Sequence, residues 1–316
     1  MNQIIIGCPY DRIIDLKSAL KTIAKGSVIV DVNDVSAVDF DAIYVGSDFK
    51  PMRISDFNAS FIRYPYDLIP PHTSNYSRRE KTELLKTLAL LFSDVSINKF
   101  SESLRARNRI YSLKVAASCG LNIPSSLIVS RNIGNFKTDL FSDKVVTKSL
   151  GNCYYAKRLN NEEELTKKQL FFTKDGNDSA YIYPAHAIKN AEELNAHIES
   201  FQVSFLQNCV KGKEFRIYLI GEKIFFYSRE KVDGIDKSAG KKVPIDSPID
   251  NKEKVKLFTL LKKLKLQYLN IDAVIDSATK KFIVIDINPF GSLPDYDTDP
   301  EPTLELARLI LKDKKK

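Results

Sequence analysis

Apolar and polar positions repeat along this chain with two different periods, and the switches between them outline its elements. Ile4, Ile5 and Ile6 form a short β-branched run ended by Gly7. Residues 15–25 then carry a helical pattern, and 27–32 are β-branched again. Residues 42–45 lead into Gly46-Ser47-Asp48, and 59–64 read as another extended segment. This alternation predicts a small open α/β layer over residues 1 to about 70. It holds no GxGxxG fingerprint, so nothing in it predicts a dinucleotide site.

Pro70-Pro71 breaks the chain, an amphipathic helix is expected over 78–93, and a second helical region runs from 98 to 119, closed by Gly120. Beyond Pro124 strands are predicted at 126–130, 144–149, 180–183 and 203–207. Helices are expected near 161–168 and over 191–200. The last third opens with a hairpin, 214–220 and 223–229, around Gly221-Glu222, a two-residue loop with glycine first as a type II′ turn requires. Residues 231–250 are polar with interspersed glycine and proline and predict a mobile loop. A basic helix over 251–266, a second hairpin over about 268–289 and a final helix from Pro302 complete the pattern.

Composition narrows the class. No apolar run is long enough to span a bilayer, and the opening residues lack a secretory layout, so a cytoplasmic protein without a membrane partner is expected. Four cysteines without CxxC pairing read as free thiols, and three histidines without a metal-ligand spacing argue against zinc chemistry. The net charge of +8 favours anionic partners. Much of the excess lies in the terminal lysines and on the 252–265 helix, where it reads as solvated surface. No nucleic-acid-binding signature accompanies it, and no nucleic-acid partner is expected.

The chemistry concentrates in YLNIDAVIDSATKKFIVIDINPFGS. If Asp276 pairs with Phe282, Asp272 falls opposite Asp286, with Cβ atoms roughly 4.5–5.5 Å apart. Asn288 shares the face of Asp286, while Ile283, Ile285 and Ile287 are expected to take the opposite, buried face. Opposed carboxylates in an apolar sheet need a shared proton or a cation. A set of carboxylate and amide oxygens suits Mg²⁺. On the first hairpin, pairing Ile220 with Lys223 puts Arg216 opposite Tyr227 and Glu214 opposite Arg229. Two arginines on one face near a metal edge suit a transferring phosphoryl group, although a plain Glu214–Arg229 surface pair is the simpler reading. Lys148, at a strand end just before Gly151, is placed to reach phosphates. Residues 207–210 have the character of a hinge whose backbone could meet an adenine edge.

In this order the segments resemble the ATP-grasp superfamily over about residues 98–291. RNRIYSLKVAASCGLNIPSS resembles the opening of the grasp domain, with Arg109 where a lysine is usual. VVTKSLGN resembles the phosphate-lysine strand, and FLQNCVKGKEFRIYLIG the adenine hinge and its following strand. NIDAVID and FIVIDINP resemble the paired metal strands. The resemblance implies an ATP-grasp α/β (α+β) fold: an N-terminal layer at 1–95 and a grasp domain at 96–316, with a lid-like part near 124–206 and a catalytic sheet at 207–316. It implies ATP at Arg109, Lys148, Gln207, Asn208 and Val210, Mg²⁺ at Asp272, Asp286 and Asn288, and catalytic roles for Arg216 and Arg229. Within the superfamily the chain is similar to graspetide (microviridin-type) peptide maturases, through its length, its N-terminal layer and FIRYPYDL. That segment has one arginine, Arg63, and the Asp-aromatic-Arg signature expected after YSRE is replaced by KVDGIDKSAGKKVPID. The implied activity is carboxylate–amine or carboxylate–hydroxyl ligation through an acyl phosphate. The substrate would be a precursor peptide or another carboxylate, with the 231–250 loop closing over the site. A ligase adding amino acids to a protein tail or small metabolite is the nearest rival, then an inactive nucleotide-binding module. A homo-oligomer is left open.

Overall fold

The computed structural model describes residues 3–7, 13–25, 27–31, 57–62, 87, 89–90, 93–130, 145–148, 154–157, 179–182, 186–188, 203–229, 242–291, 293–294 and 296–312. The elements expected at 42–45, 161–168 and 191–200, and most of the 78–93 helix, lie outside them.

The N-terminal β-branched runs pair as a parallel sheet: β1 (Gln3–Gly7) lies between β2 (Val28–Asp31) and β3 (Phe57–Ile62). Helix α1 (Ile13–Ile23) connects the first two strands. After a 3-10 turn at Ser93–Val95 come α2 (Phe100–Arg107) and α3 (Arg109–Ser118). The single helical region expected at 98–119 is thus two helices. Asn108 divides them, its backbone extended (φ −64°, ψ 108°) and its side chain accepting the Tyr111 N–H. An asparagine whose side chain competes with the helix ladder favours this capping position. Gly120 ends α3 with φ +77°, the left-handed backbone typical after a helix.

Strands β4 (Ser126–Ser130), β5 (Val145–Lys148), β8 (His186–Ile188) and β9 (Val203–Asn208) make an antiparallel sheet in the order β4-β9-β5-β8. A separate pair joins β6 (Tyr154–Lys157) to β7 (Ser179–Ile182). The largest sheet is antiparallel and five-stranded. Its order is β12 (Lys242–Ile245), β11 (Lys223–Arg229), β10 (Gly212–Ile220), β13 (Tyr268–Asp276) and β14 (Phe282–Asn288). Strand β12 corrects the expected 231–250 loop at its C-terminal end, because Val243 and Ile245 pair with Ser228 and Phe226. Residues 231–241, and any closure over the site, lie outside the described part. Gly221 has φ +57° and Glu222 does not share that sign, as the type II′ reading requires.

Alternation along these strands builds two cores on opposite faces. Ile217, Leu219, Phe226, Ile271, Ala273, Val284 and Ile287 pack with Leu113 of α3 and with Leu257, Leu260 and Leu261 of α4 (Asn251–Lys263). On the other face Tyr218, Ile220, Tyr227 and Tyr268 pack with Ile4, Ile6, Leu16 and Leu20 of the N-terminal layer and with Leu306 and Ile310 of α5 (Glu301–Lys312). Asn98, at φ +62°, ties that layer to the sheet. Its amide oxygen accepts the N–H groups of Gln267 (2.7 Å) and Tyr268 (2.9 Å), and its amide nitrogen donates to the Tyr268 carbonyl (2.6 Å).

Candidate active site

Register aims the charged side chains. Tyr227 pairs with Arg216, Arg216 with Asp272, and Asp272 with Asp286, giving one row across four strands. A second row runs Phe225, Tyr218, Asn270, Asn288. The opposition of Asp272 and Asp286 is the one the sequence predicts, but the strand reaches it by another path. Ile275 pairs with Phe282 and Ala273 with Val284, and the register then shifts between Asp272 and Ala273. Ile285 is therefore an extra residue, a β-bulge. Of the residues expected on the buried face, Ile285 and Ile287 are buried and only Ile283 departs. Phe282, Val284 and Ile287 enter the core, whereas Ile283 is only half-buried on the other side.

The counter-charge at this row is arginine. The Arg216 guanidinium grips Asp272 with two nitrogens: Nη2 donates to Oδ2 at 3.0 Å while Nε faces Oδ1. The pair is largely shielded, the side chains being 12% and 18% exposed. Burial, the largest single effect, would lower the Arg216 pKa, but Asp272, Tyr218 and Asp286 together outweigh it and the net direction is upward. Arg109 Nε donates to Asp286 Oδ1 at 3.0 Å. Its guanidinium carbon also lies 5.9 Å from the centre of the Phe205 ring of β9, so Arg109 spans the gap between the two large sheets. Arg109 is the first residue of α3. A cation there opposes the helix dipole, so its placement serves the carboxylate rather than the helix.

Two further residues of this face, Asn270 and Tyr268, escaped the sequence reading. Asn270 is 1% exposed and lies against Gly291, where any Cβ would collide with the Asn270 amide. Glycine is required there by close approach, and the NPFG segment was the available signal. Tyr268 fixes the same loop by donating to the Gly291 carbonyl (2.6 Å). Asn288 is oriented by its own loop, its Oδ1 accepting the Phe290 N–H at 2.9 Å. Tyr227, buried beside Tyr218 in an edge-to-face contact (5.2 Å), donates its hydroxyl to Asp299. Burial, then that carboxylate, push its pKa far above the phenol range, so it stays a donor.

At the other sheet, Gln207 is 2% exposed and donates to Ser126 Oγ (3.3 Å), which turns its amide into the β4–β9 contact. Asn208 Oδ1 is buried without a hydrogen-bond partner among the described residues. Val210 and Cys209 are half-buried, and Cys119 and Cys209 are free thiols. Lys148 pairs in register with Phe205, and Arg229 with Lys242; their side chains lie outside the described part. Arg109, Arg216, Asp272, Asp286 and Asn288 thus form one site, and residues 207–210 edge the facing sheet. Among the described residues no three His, Cys, Asp or Glu side chains cluster as a metal site would need. A cation at this row would therefore rest on two carboxylates and an amide.

No protein-family model matches the sequence, and no curated protein is significantly similar to it. Solved structures are. The macrocyclase MdnC of Microcystis aeruginosa MRC, bound with precursor peptide MdnA, superposes with a TM-score of 0.71 at 17% identity, covering 98% of this chain and 99% of that one. The fold is ATP-grasp. A Chryseobacterium gregarium RiPP-associated ATP-grasp ligase, in complex with ADP and a leader and core peptide, gives a TM-score of 0.70 at 14% identity over 99% and 97% of the two chains. The ATP-grasp ligase PsnB, complexed with a phosphomimetic precursor variant, Mg and ADP, gives 0.67 at 12% over 100% and 99%. Within the ATP-grasp fold of this chain, the two large sheets face each other across Arg109. No helix among the described residues is long and apolar enough to cross a membrane.

Proposed function

We propose that this chain is an ADP-forming ATP-grasp ligase that joins side chains of a ribosomal peptide through ester or amide links. The observation that carries the reading is the row Arg216–Asp272–Asp286, with Arg109 reaching it from the start of α3. Full-length likeness to ligases solved with precursor peptides supports a peptide as the carboxylate substrate.

In this proposal residues 1–95 form the N-terminal layer and 96–316 the grasp domain. Adenine lies at 207–210, where the buried Asn208 Oδ1 suits the adenine amino group. Phosphates reach Lys148 and Arg109. The oxygen-only set Asp272, Asp286 and Asn288 fits Mg²⁺, which when bound neutralises charge on the β- and γ-phosphate oxygens. The carboxylate of the substrate attacks the γ-phosphorus of ATP, giving an acyl phosphate and ADP. A hydroxyl or amine of the same peptide then attacks the acyl carbon, loses its proton and expels phosphate. Arg216, held by Asp272, faces the oxyanion that develops; Arg229 is assigned the same task from β11.

The test is mass spectrometry of the protein with ATP, Mg²⁺ and the short peptides encoded beside it. One water lost per link, with ADP formed in equal number, is the expected result. A gain of amino-acid residues would move the chain to the tail-extending ligases, and ATP binding without turnover would make it a binding module.

A further inference from the structure

The two carboxylates assigned to the metal already have cations. Asp272 is held by a two-point arginine contact deep in the sheet, whereas Asp286 accepts from Arg109 Nε at 3.0 Å. The Asp286 side chain is 28% exposed, against 18% for Asp272. Their arginines differ too. Arg216 sits mid-strand, between neighbours on both sides. Arg109 projects from the first turn of a helix and leans on Phe205 of the facing sheet, the sheet whose β5 and β9 carry Lys148 and the 207–210 edge. Unlike the members of that row, Arg109 is anchored outside the row's sheet.

From this asymmetry we infer that Arg109 is an exchangeable counter-ion: it holds Asp286 in the nucleotide-free protein and gives it up only to a nucleotide that offers phosphate oxygens in return. The inference rests on the assignment of ATP and Mg²⁺ above and adds an order to it. A free divalent ion must displace the half-buried guanidinium from Asp286 while offering it no anion in exchange, which is unfavourable. A nucleotide bearing its own cation supplies both replacements together: Arg109 moves from carboxylate to phosphate, and Asp286 from guanidinium to cation. Each charged group then keeps a partner of opposite sign. Arg109 thereby makes the site select the metal–nucleotide complex over the bare ion.

Electron paramagnetic resonance of Mn²⁺ tests this without turnover. The full chain without nucleotide should leave the Mn²⁺ signal nearly unattenuated, and ADP should bring attenuation. R109Q should bind bare Mn²⁺ about tenfold more tightly or better than the wild type, a change of about 1.4 kcal/mol. Mn²⁺ alone should then raise the melting temperature of R109Q but not of the wild type. R109K, which keeps the charge but loses the planar fork, should fall between them and serves if R109Q does not fold. Equal Mn²⁺ affinity in wild type and both variants would overturn the exchange. D286N separates this failure from that of the wider reading. If D286N binds Mn²⁺ with ADP as the wild type does, the metal assignment is wrong. If D286N abolishes that binding while the Arg109 variants behave as wild type, only the exchange is wrong.

Discussion

Arg216 carries its charge mid-sheet because Asp272 is directly opposite, and neither residue is tolerable there alone. Removing one member of a buried pair leaves an uncompensated charge and costs about 3 kcal/mol. D272A and R216A should each lower the denaturant midpoint by an amount of that order. The double variant R216M/D272L should recover most of the loss, because an apolar pair of similar volume replaces the pair as a unit. Losses that simply add would show that the two side chains do not act together. The expected opposition of Asp272 and Asp286 holds because two offsets cancel: Phe282 pairs with Ile275 rather than Asp276, and the Ile285 bulge restores the register. Arg109 and Arg216 were legible as site residues, but their pairing with the two acids was not. Asp272 and Arg216 are 56 positions apart and Asp286 and Arg109 are 177 apart. Local pattern offers no rule for joining residues at such separations, so a proton or a cation looked like the only remedies for opposed acids.

At the scale of the element, β14 reads as an unbroken alternation yet contains one residue too many. A strict period of two from Phe282 would put Val284 on the face of Asp286 and Asn288. The Ile285 bulge lets the same strand give Phe282 and Val284 to the core first and Ile287 afterwards. Such a bulge is invisible to periodicity when the inserted residue is as apolar as its neighbours. Deleting Ile285 should leave Asp286 and Asn288 on their present face, because the shortened strand then alternates regularly from Phe282 to Asn288. Titration with a fluorescent ATP analogue should show binding retained near the wild-type affinity. Binding lost in a folded variant would mean that the extra residue itself aims these side chains. Strand β12 was missed for a different reason: glycine and proline around 234–248 mark a break, yet Lys242–Ile245 still lies along the edge of β11.

Across the whole molecule, the N-terminal layer and the ligand-bearing sheet share a core, and Asn98 is the stitch between them. Its left-handed backbone and three hydrogen bonds to Gln267 and Tyr268 join the entry to α2 with the start of β13. Alanine there forfeits the bonds and strains the backbone, so N98A should cost about 3 kcal/mol. N98G, which keeps the backbone free, should cost less. Equal losses on equilibrium denaturation would put the whole effect in the hydrogen bonds.

The carboxylate of Asp299 serves two masters. One oxygen takes the hydroxyl of Tyr227 from the row that carries Arg216, and the other takes the first N–H of α5, the Glu301 amide (3.2 Å). Helix α5 lies in turn on the N-terminal layer through α1. A mutation that changed the tyrosine would leave a carboxylate stranded, and one that removed the acid would unseat both a phenol and a helix start. Evolutionary drift at either position is therefore tied to the other, and among relatives of this chain positions 227 and 299 should be inherited as a couple.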